Sequence, residues 1–204
     1  MMYLRDSGLE SAIQTAVAKG TPLMGICGGY QMLGEEIRDP HHTESSYDGV
    51  KGMGLLEMTT TFSLEKLTSQ VEADCHAWPF LGTKISATGL KGYEIHMGET
   101  SFTGTDDCHP LTITRRAGET CAVTEGTGRA DGLIFGTYIH GIFDHDEFRR
   151  QILNALRQKK GLAPLTSTRS VAAEKQRSYD QLAAVVRRSL DMDKIRAIMG
   201  LGSK

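Results

Sequence analysis

The chain has 204 residues, 39% of them hydrophobic, and a formal net charge of -2. That length buries a core without metal or disulfide staples, no basic tract is laid out to follow a phosphate backbone, and no apolar run approaches the ~18 residues of a bilayer span. Nucleic acid and membrane are therefore excluded as expected partners. Cysteines stand at 27, 75, 108 and 121 without a CxxC pair, and the opening Met-Met-Tyr-Leu-Arg has no basic region followed by an apolar one, so they read as free thiols of a reduced, cytoplasmic protein.

Ser7 to Lys19 reads as a helix, with Ser7 and Glu10 spaced as a capping box and Leu9, Ile13, Ala16 and Val17 on one stripe. Gly20-Thr21-Pro22 ends it, Leu23 to Ile26 reads as a short buried strand, and Gly28 to Glu36 as a second helix after Cys27. That order predicts an α/β domain with parallel strands. Residues 36–52 read as a loop. Segments near 54–62, 70–77, 84–97, 111–115 and 119–124 are rich in Thr, Val and Ile and read as strands or hairpins.

Leu133 to Ile139 is a further apolar strand ending at His140. A helix is expected from Asp144, with Glu147 completing a capping box and Phe148, Ile152 and Leu156 facing inward. Pro164 to Arg169 reads as a linker, Arg169 to Leu190 as a long surface helix, and Asp191 as the cap of a last short helix closed by Gly200. The domains expected are residues 1–164 and a helical extension, 165–204, packed on the same domain.

The run Gly25-Ile26-Cys27-Gly28-Gly29-Tyr30-Gln31 carries the chemistry. A strand that turns directly into a helix forces the turn residue into strain, and flanking glycines permit the bend and a close approach of substrate. A cysteine there stands at a helix N-terminus, where the dipole favours a thiolate. The Gly28 N–H points where an oxyanion would form, a donor worth about 3 kcal/mol of barrier. Gln31, four residues on, shares the helix face with Cys27 and can hydrogen-bond a substrate. A buried core cysteine is the usual fate of this residue type, but it does not account for the glycines.

Gly25-Ile26-Cys27-Gly28-Gly29-Tyr30-Gln31-Met32-Leu33-Gly34 resembles the nucleophile elbow of class I glutamine amidotransferases. Gly92 to Gly98, Gly136 to Phe143 and the tail around Tyr179 to Leu182 and Leu190 to Asp193 resemble the cobyric acid synthase family in particular, so the resemblance spans essentially the whole chain. It implies a class I glutamine amidotransferase-like (flavodoxin-like) sheet flanked by helices, truncated at its N-terminus, with extra β-hairpins and C-terminal helices. It also implies that Cys27 is the nucleophile and His140 the histidine that moves protons, with Gly28 and Gln31 binding glutamine.

In the commoner class I pattern a glutamate two residues after the histidine orients the ring. Here that position is Ile142, which makes the pair a Cys–His dyad with Glu94 and Asp144 as open alternatives for the orienting role. Glu94 and His96 share one face of a strand and read either as a solvated face or as a wall of the glutamine site. His41, His42, His76, His109 and His145 lack metal spacing, and His140 and His145 are five apart, so no metal is expected.

The resemblance further implies a larger enzyme, in which a separate N-terminal synthetase domain with a P-loop uses ATP and magnesium to amidate adenosylcobyrinic acid a,c-diamide at b, d, e and g. This chain has no G-x-x-x-x-G-K-[ST] run and is expected to bind neither ATP nor another cofactor. It reads as a C-terminal fragment, beginning after the loop that supplies a second oxyanion donor, with low activity unless another chain completes it. The alternatives are a sibling amidotransferase, acting on cobyrinic acid or on cell-wall lipid precursors, and a non-catalytic remnant.

Overall fold

The computed structural model describes residues 1–104, 107–166 and 169–201. In chain order the elements are α1 (Met2–Asp6), α2 (Leu9–Ala18), β1 (Leu23–Ile26), α3 (Gly28–Leu33), β2 (Glu36–Arg38), β3 (Gly49–Lys51), β4 (Met58–Phe80), β5 (Thr83–Phe102), β6 (Asp107–Cys108), β7 (Leu111–Arg116), β8 (Glu119–Glu125), β9 (Thr127–Arg129) and β10 (Ile134–Thr137). A 3-10 turn (Ile142–Asp144), α4 (Asp146–Lys159), α5 (Val171–Ser189) and α6 (Met192–Ile198) follow. The chain divides into two compact units, Met1–Thr166 and Ser167–Lys204. No helix among the described residues is long and apolar enough to cross a membrane.

The first unit is a mixed α/β structure with two sheets. One has the order β1-β10-β9-β6, the other β3-β2-β4-β7-β8 with β5 added on β4. β1 runs parallel to β10, pairing Leu23 with Ile134 through Ile26 with Thr137. Gly25 faces Gly136 in that register, and both must be bare. A Cβ on Gly25 would stand 2.7 Å from the Gly29 carbonyl oxygen, and one on Gly136 would stand 2.0 Å from the Tyr30 ring. The two strands therefore offer α3 a seam without side chains, onto which its backbone and Tyr30 settle directly.

The segments expected near 54–62 and 70–77 are one strand, β4, because the polar stretch between them also runs extended. Its register with β5 shifts between Phe62 and Leu67, Ala73 and Cys75, and Cys75 and Trp78, so the ribbon bends at bulges instead of breaking. Leu81 and Gly82, both at positive φ (50° and 78°), close the hairpin as a two-residue turn of the twist such strands require. Residues 36–52 are more ordered than the sequence suggests: β2 and β3 form a pair there, and β2 continues parallel to β4.

Two apolar clusters fill the first unit. The larger joins Trp78, Phe80, Leu90 and Ile113 to Phe135, Phe148 and Ile152, with the Trp78 ring 4.8 Å from Phe80 and 4.6 Å from Phe135. The smaller holds Val17, Tyr30, Leu33, Leu56, Met58, Ile134 and Tyr138. α4 presents Phe148 and Ile152 to the core, as its four-residue spacing predicts, with Ala155 buried beside them and Leu156 packed partly buried against the same cluster.

Helix starts were less legible than helices. α2 begins at Leu9 behind Gly8 (φ 76°), not at a Ser7–Glu10 capping box. Ser7 Oγ instead donates to the Tyr3 carbonyl at 2.6 Å, and Arg5 engages Glu10 at 2.8 Å, which removes both halves of the box. Likewise α4 is capped by His145, whose Nδ1 accepts from the Phe148 amide at 3.2 Å, because the 3-10 turn absorbs Asp144. In the second unit Ser170 caps α5 and Asp191 caps α6, the latter accepting from the Lys194 amide at 3.0 Å.

Trp78 joins both strands of the hairpin to β10, so Trp78→Ala is expected to lower unfolding free energy by about 3–5 kcal/mol, read from the midpoint of a urea titration.

Candidate active site

β1 passes into α3 at Cys27, which serves as the helix N-cap at φ 54°, ψ -117°. A side chain held in that region costs about 1–3 kcal/mol and persists only where its surroundings over-determine it. Here the Cys27 amide donates to the Thr137 carbonyl at 2.9 Å, and its own carbonyl accepts from the Gln31 amide at 3.1 Å. A Cβ built on Gly28 or Gly29 meets nothing within 4 Å. Packing does not require those two glycines, and they leave open space beside the thiol. Cys27 is half-buried, and its Sγ lies 3.5 Å from the Ile95 carbonyl, to which it donates.

His140 follows β10 and docks on β5 through a two-way bridge with Tyr93: its amide donates to the Tyr93 carbonyl at 2.8 Å, and the Tyr93 amide returns a bond at 3.2 Å. The two rings stack at 4.8 Å with 7° between planes. His140 Nε2 is buried, and no hydrogen-bond partner reaches it among the described residues. Thiol and imidazole thus meet the same stretch of β5, Tyr93 to Ile95, with the thiol proton resting on a carbonyl and the ring nitrogen unengaged. Catalytic hydrogen bonds commonly tighten only when substrate is bound.

Gln31 is 6% exposed, and its Nε2 donates to the Tyr138 hydroxyl at 3.4 Å, which also pairs with Thr100 Oγ1 at 2.7 Å. A cavity of about 180 Å³ opens beside it, lined by Gly28, Gln31, Ile37, Glu44, Val50 and Phe62 among others. Its outer wall is built on Asp39, whose carboxylate accepts from the amides of Thr43, Glu44 and Ser45 and from the Thr43 hydroxyl. Burial pushes that carboxyl up, but the hydrogen bonds outweigh it and hold it at about 2. A larger cavity, about 710 Å³, lies against α4 among Pro22, Met24, Phe80, Phe143 and Leu156, and neither cavity is lined by Cys27 or His140.

Glu94 and His96 do not form a solvated face. Glu94 is 2% exposed and receives Arg116 Nε at 3.0 Å and Nη2 at 3.3 Å. His96 Nε2 stands 3.8 Å from Glu94, while its ring stacks on Tyr138 at 3.8 Å and its Nδ1 meets the Gly98 carbonyl at 2.8 Å. Burial raises the Glu94 carboxyl, but His96 and the Arg116 guanidinium more than offset this and hold it below the usual glutamate range. The alternative in which Glu94 orients His140 meets a carboxylate already committed to Arg116. Tyr93, Arg116 and Tyr138 were not singled out from the sequence. Tyr138 at least sits inside the Gly-Thr-Tyr-Ile-His run, whereas nothing local marks Arg116.

The remaining described thiols differ from Cys27. Cys75 is buried, and desolvation pushes its thiol up to about 12, while Cys121 Sγ faces the Ile113 carbonyl at 3.6 Å. Among the described residues no group of three His, Cys, Asp or Glu side chains is placed to hold a metal ion.

Two substitutions test this geometry. Cys27→Gly is expected to be more stable than Cys27→Ala by about 1 kcal/mol in urea unfolding, because glycine releases the strained φ. Arg116→Met is expected to cost about 2–3 kcal/mol at neutral pH by stranding the Glu94 charge, below the fully buried range because Arg116 is 31% exposed. The folded carboxyl is depressed, so the pair's contribution is present above the ordinary glutamate value and lost as pH falls through the lower folded one. The difference between Arg116→Met and the parent should shrink along that acid limb.

A family model described as a CobB/CobQ-like glutamine amidotransferase domain matches residues 1–148. A protein named cobyric acid synthase from Moorella thermoacetica is 43% identical over 202 residues, covering 98% of this chain and 38% of that protein. Its counterpart in Klebsiella pneumoniae is 46% identical over 200 residues with the same coverage, and one from Salmonella typhimurium is 44% identical over 201. The chain therefore spans 38% of the length of these relatives. A solved structure titled as a glutamine amidotransferase overlaps 78% of this chain and 71% of its own, with a TM-score of 0.44 and 13% identity.

Proposed function

The chain belongs to the CobB/CobQ-like glutamine amidotransferase domain family, and from that premise we propose that it is the glutaminase part of a cobyric acid synthase, with Cys27 as nucleophile and His140 as proton carrier. The observation that carries this reading is the meeting of both residues on Tyr93 to Ile95 of β5, with Cys27 held at φ 54° at the mouth of α3. The similarity to cobyric acid synthases covers 98% of the chain, beyond the family match that ends at residue 148, and so supports this branch over its siblings.

In the proposed reaction His140 Nε2 takes the thiol proton, and the Cys27 sulfur attacks the side-chain amide carbon of glutamine. The oxyanion that forms accepts from the Gly28 amide, in the space beside Gly28 and Gly29. Collapse breaks the C–N bond, and His140 returns its proton to the departing ammonia, leaving a glutamyl thioester on Cys27. Water, deprotonated by His140, attacks that thioester and releases glutamate and the thiol. Gln31, held by Tyr138, lines the small cavity next to Gly28. Ammonia then serves an ATP- and magnesium-dependent amidation of adenosylcobyrinic acid a,c-diamide at b, d, e and g, carried out by the part of the enzyme outside this chain.

Incubation with a diazo-ketone analogue of glutamine followed by peptide mass spectrometry is expected to place the adduct on Cys27. In the full-length enzyme, Cys27→Ala should abolish glutamine-dependent amidation and spare the reaction fed with ammonium salt, since only ammonia release needs the thiol. Loss of both reactions in a folded variant would return Cys27 to a structural role.

A further inference from the structure

Glu125 closes β8 and is 6% exposed. Its carboxylate is held by hydrogen-bond donors: the Thr137 hydroxyl reaches Oε2 at 2.7 Å and the Tyr138 amide reaches Oε1 at 2.6 Å. The Thr137 hydroxyl in turn accepts from the Ile139 amide at 3.0 Å. β10 ends at Thr137, so Tyr138 and Ile139 lie past the ladder that would have satisfied them. One carboxylate, directly and through one hydroxyl, takes over that task. Thr137 also supplies the carbonyl that accepts the Cys27 amide, and the next residue after Ile139 is His140.

Such a carboxylate is costly. Burial pushes it up to about 7 against the hydrogen bonds from Thr137 and Tyr138 that favour its charge, and Glu94 on β5, itself balanced by Arg116 of β7, adds repulsion. A buried polar group retained at such cost, with both oxygens engaged, fixes a unique arrangement. The arrangement fixed here is the path between the two residues of the site.

We propose that Glu125 is a positioning residue: through Thr137 and Tyr138 it fixes the residues that lead into His140, and with them the register between the imidazole and the Cys27 thiol. The proposal rests on the reading that those two side chains hydrolyse glutamine.

The test uses the full-length enzyme with Glu125→Ala, Glu125→Gln and Thr137→Val, and measures inactivation by the diazo-ketone glutamine analogue at several concentrations. Glu125→Ala is expected to lower the maximal inactivation rate by about tenfold or more, with the half-saturating concentration changed by less than about threefold, since misplacement penalises the reacting geometry more than binding. Glu125→Gln keeps an acceptor for the Tyr138 amide and should restore the rate to within about threefold of the parent. Thr137→Val, which keeps the shape and loses the relay, should follow Glu125→Ala and decides the matter if the alanine variant does not fold. Separately, NMR should show faster exchange of the Tyr138 and Ile139 amides and displaced His140 ring resonances in Glu125→Ala or Thr137→Val. Unmoved amides and ring resonances would overturn the proposal whatever the labelling shows, as would parental inactivation rates in those variants. A parent protein that the analogue fails to modify, with the NMR changes present, would defeat the glutaminase reading and leave the positioning role standing.

Discussion

The bond from the Cys27 amide to the Thr137 carbonyl is where the two halves of the site are joined. It continues the parallel pairing of β1 with β10 by one step, at the point where one strand turns into α3 and the other runs on to His140. Every other feature of the site presupposes it. The positive φ of Cys27 can be sustained because the residue is pinned on both sides, by Thr137 and by Gln31. The bare seam at Gly25 and Gly136 lets Tyr30 lie close enough for its hydroxyl to reach Thr127 Oγ1 at 2.5 Å, tying α3 to β9 as well. β5 then covers the junction, meeting the thiol at Ile95 and the histidine at Tyr93.

The charges buried around this junction act in opposite directions. Asp39 and Glu94 are ionised groups with donors gathered about them, and both hold their carboxyls low. Glu125 has hydrogen bonds but stronger desolvation, and keeps its proton in the folded state up to about 7 where an unfolded glutamate would lose it near 4.5. Between those values the unfolded chain binds fewer protons, so Glu125 makes stability fall as pH rises, whereas the other two make it fall under acid conditions. The molecule accepts a carboxylate that is uncomfortable at neutral pH directly beneath the strand end that leads to its histidine.

How much of this was legible in the sequence depended on how local the cause was. The elbow was readable because a strand, a cysteine and a helix in ten residues leave few other conformations, and β1, α5 and the Asp191 cap were readable for the same reason. Both predicted capping boxes failed because a competitor lay outside the four-residue window: Tyr3 and Arg5 for the first, the turn at Gly141 for the second. β4 was broken in two because residues 63–69 lack alternation, and only pairing with β5 on either side of that stretch makes it one strand. Arg116 and Glu125 owe their importance to partners far along the chain, so no window of sequence around them marks them, and Tyr93, though inside the Gly92 to Gly98 run, pairs with a distant His140 that the run does not reveal.

That dependence on distant partners orders the assembly of the molecule in time. The β4–β5 hairpin closes on a two-residue turn and can zip from neighbouring residues, whereas Leu23 and Ile134, about a hundred positions apart, must find each other across a long loop. A nascent chain exposes Gly25 to Gln31 well before β10 has been synthesised, and without the Thr137 carbonyl only the local bond from the Gln31 amide holds Cys27 in its costly backbone conformation. Closing β1 on β10 is thus the step that completes the setting of Cys27.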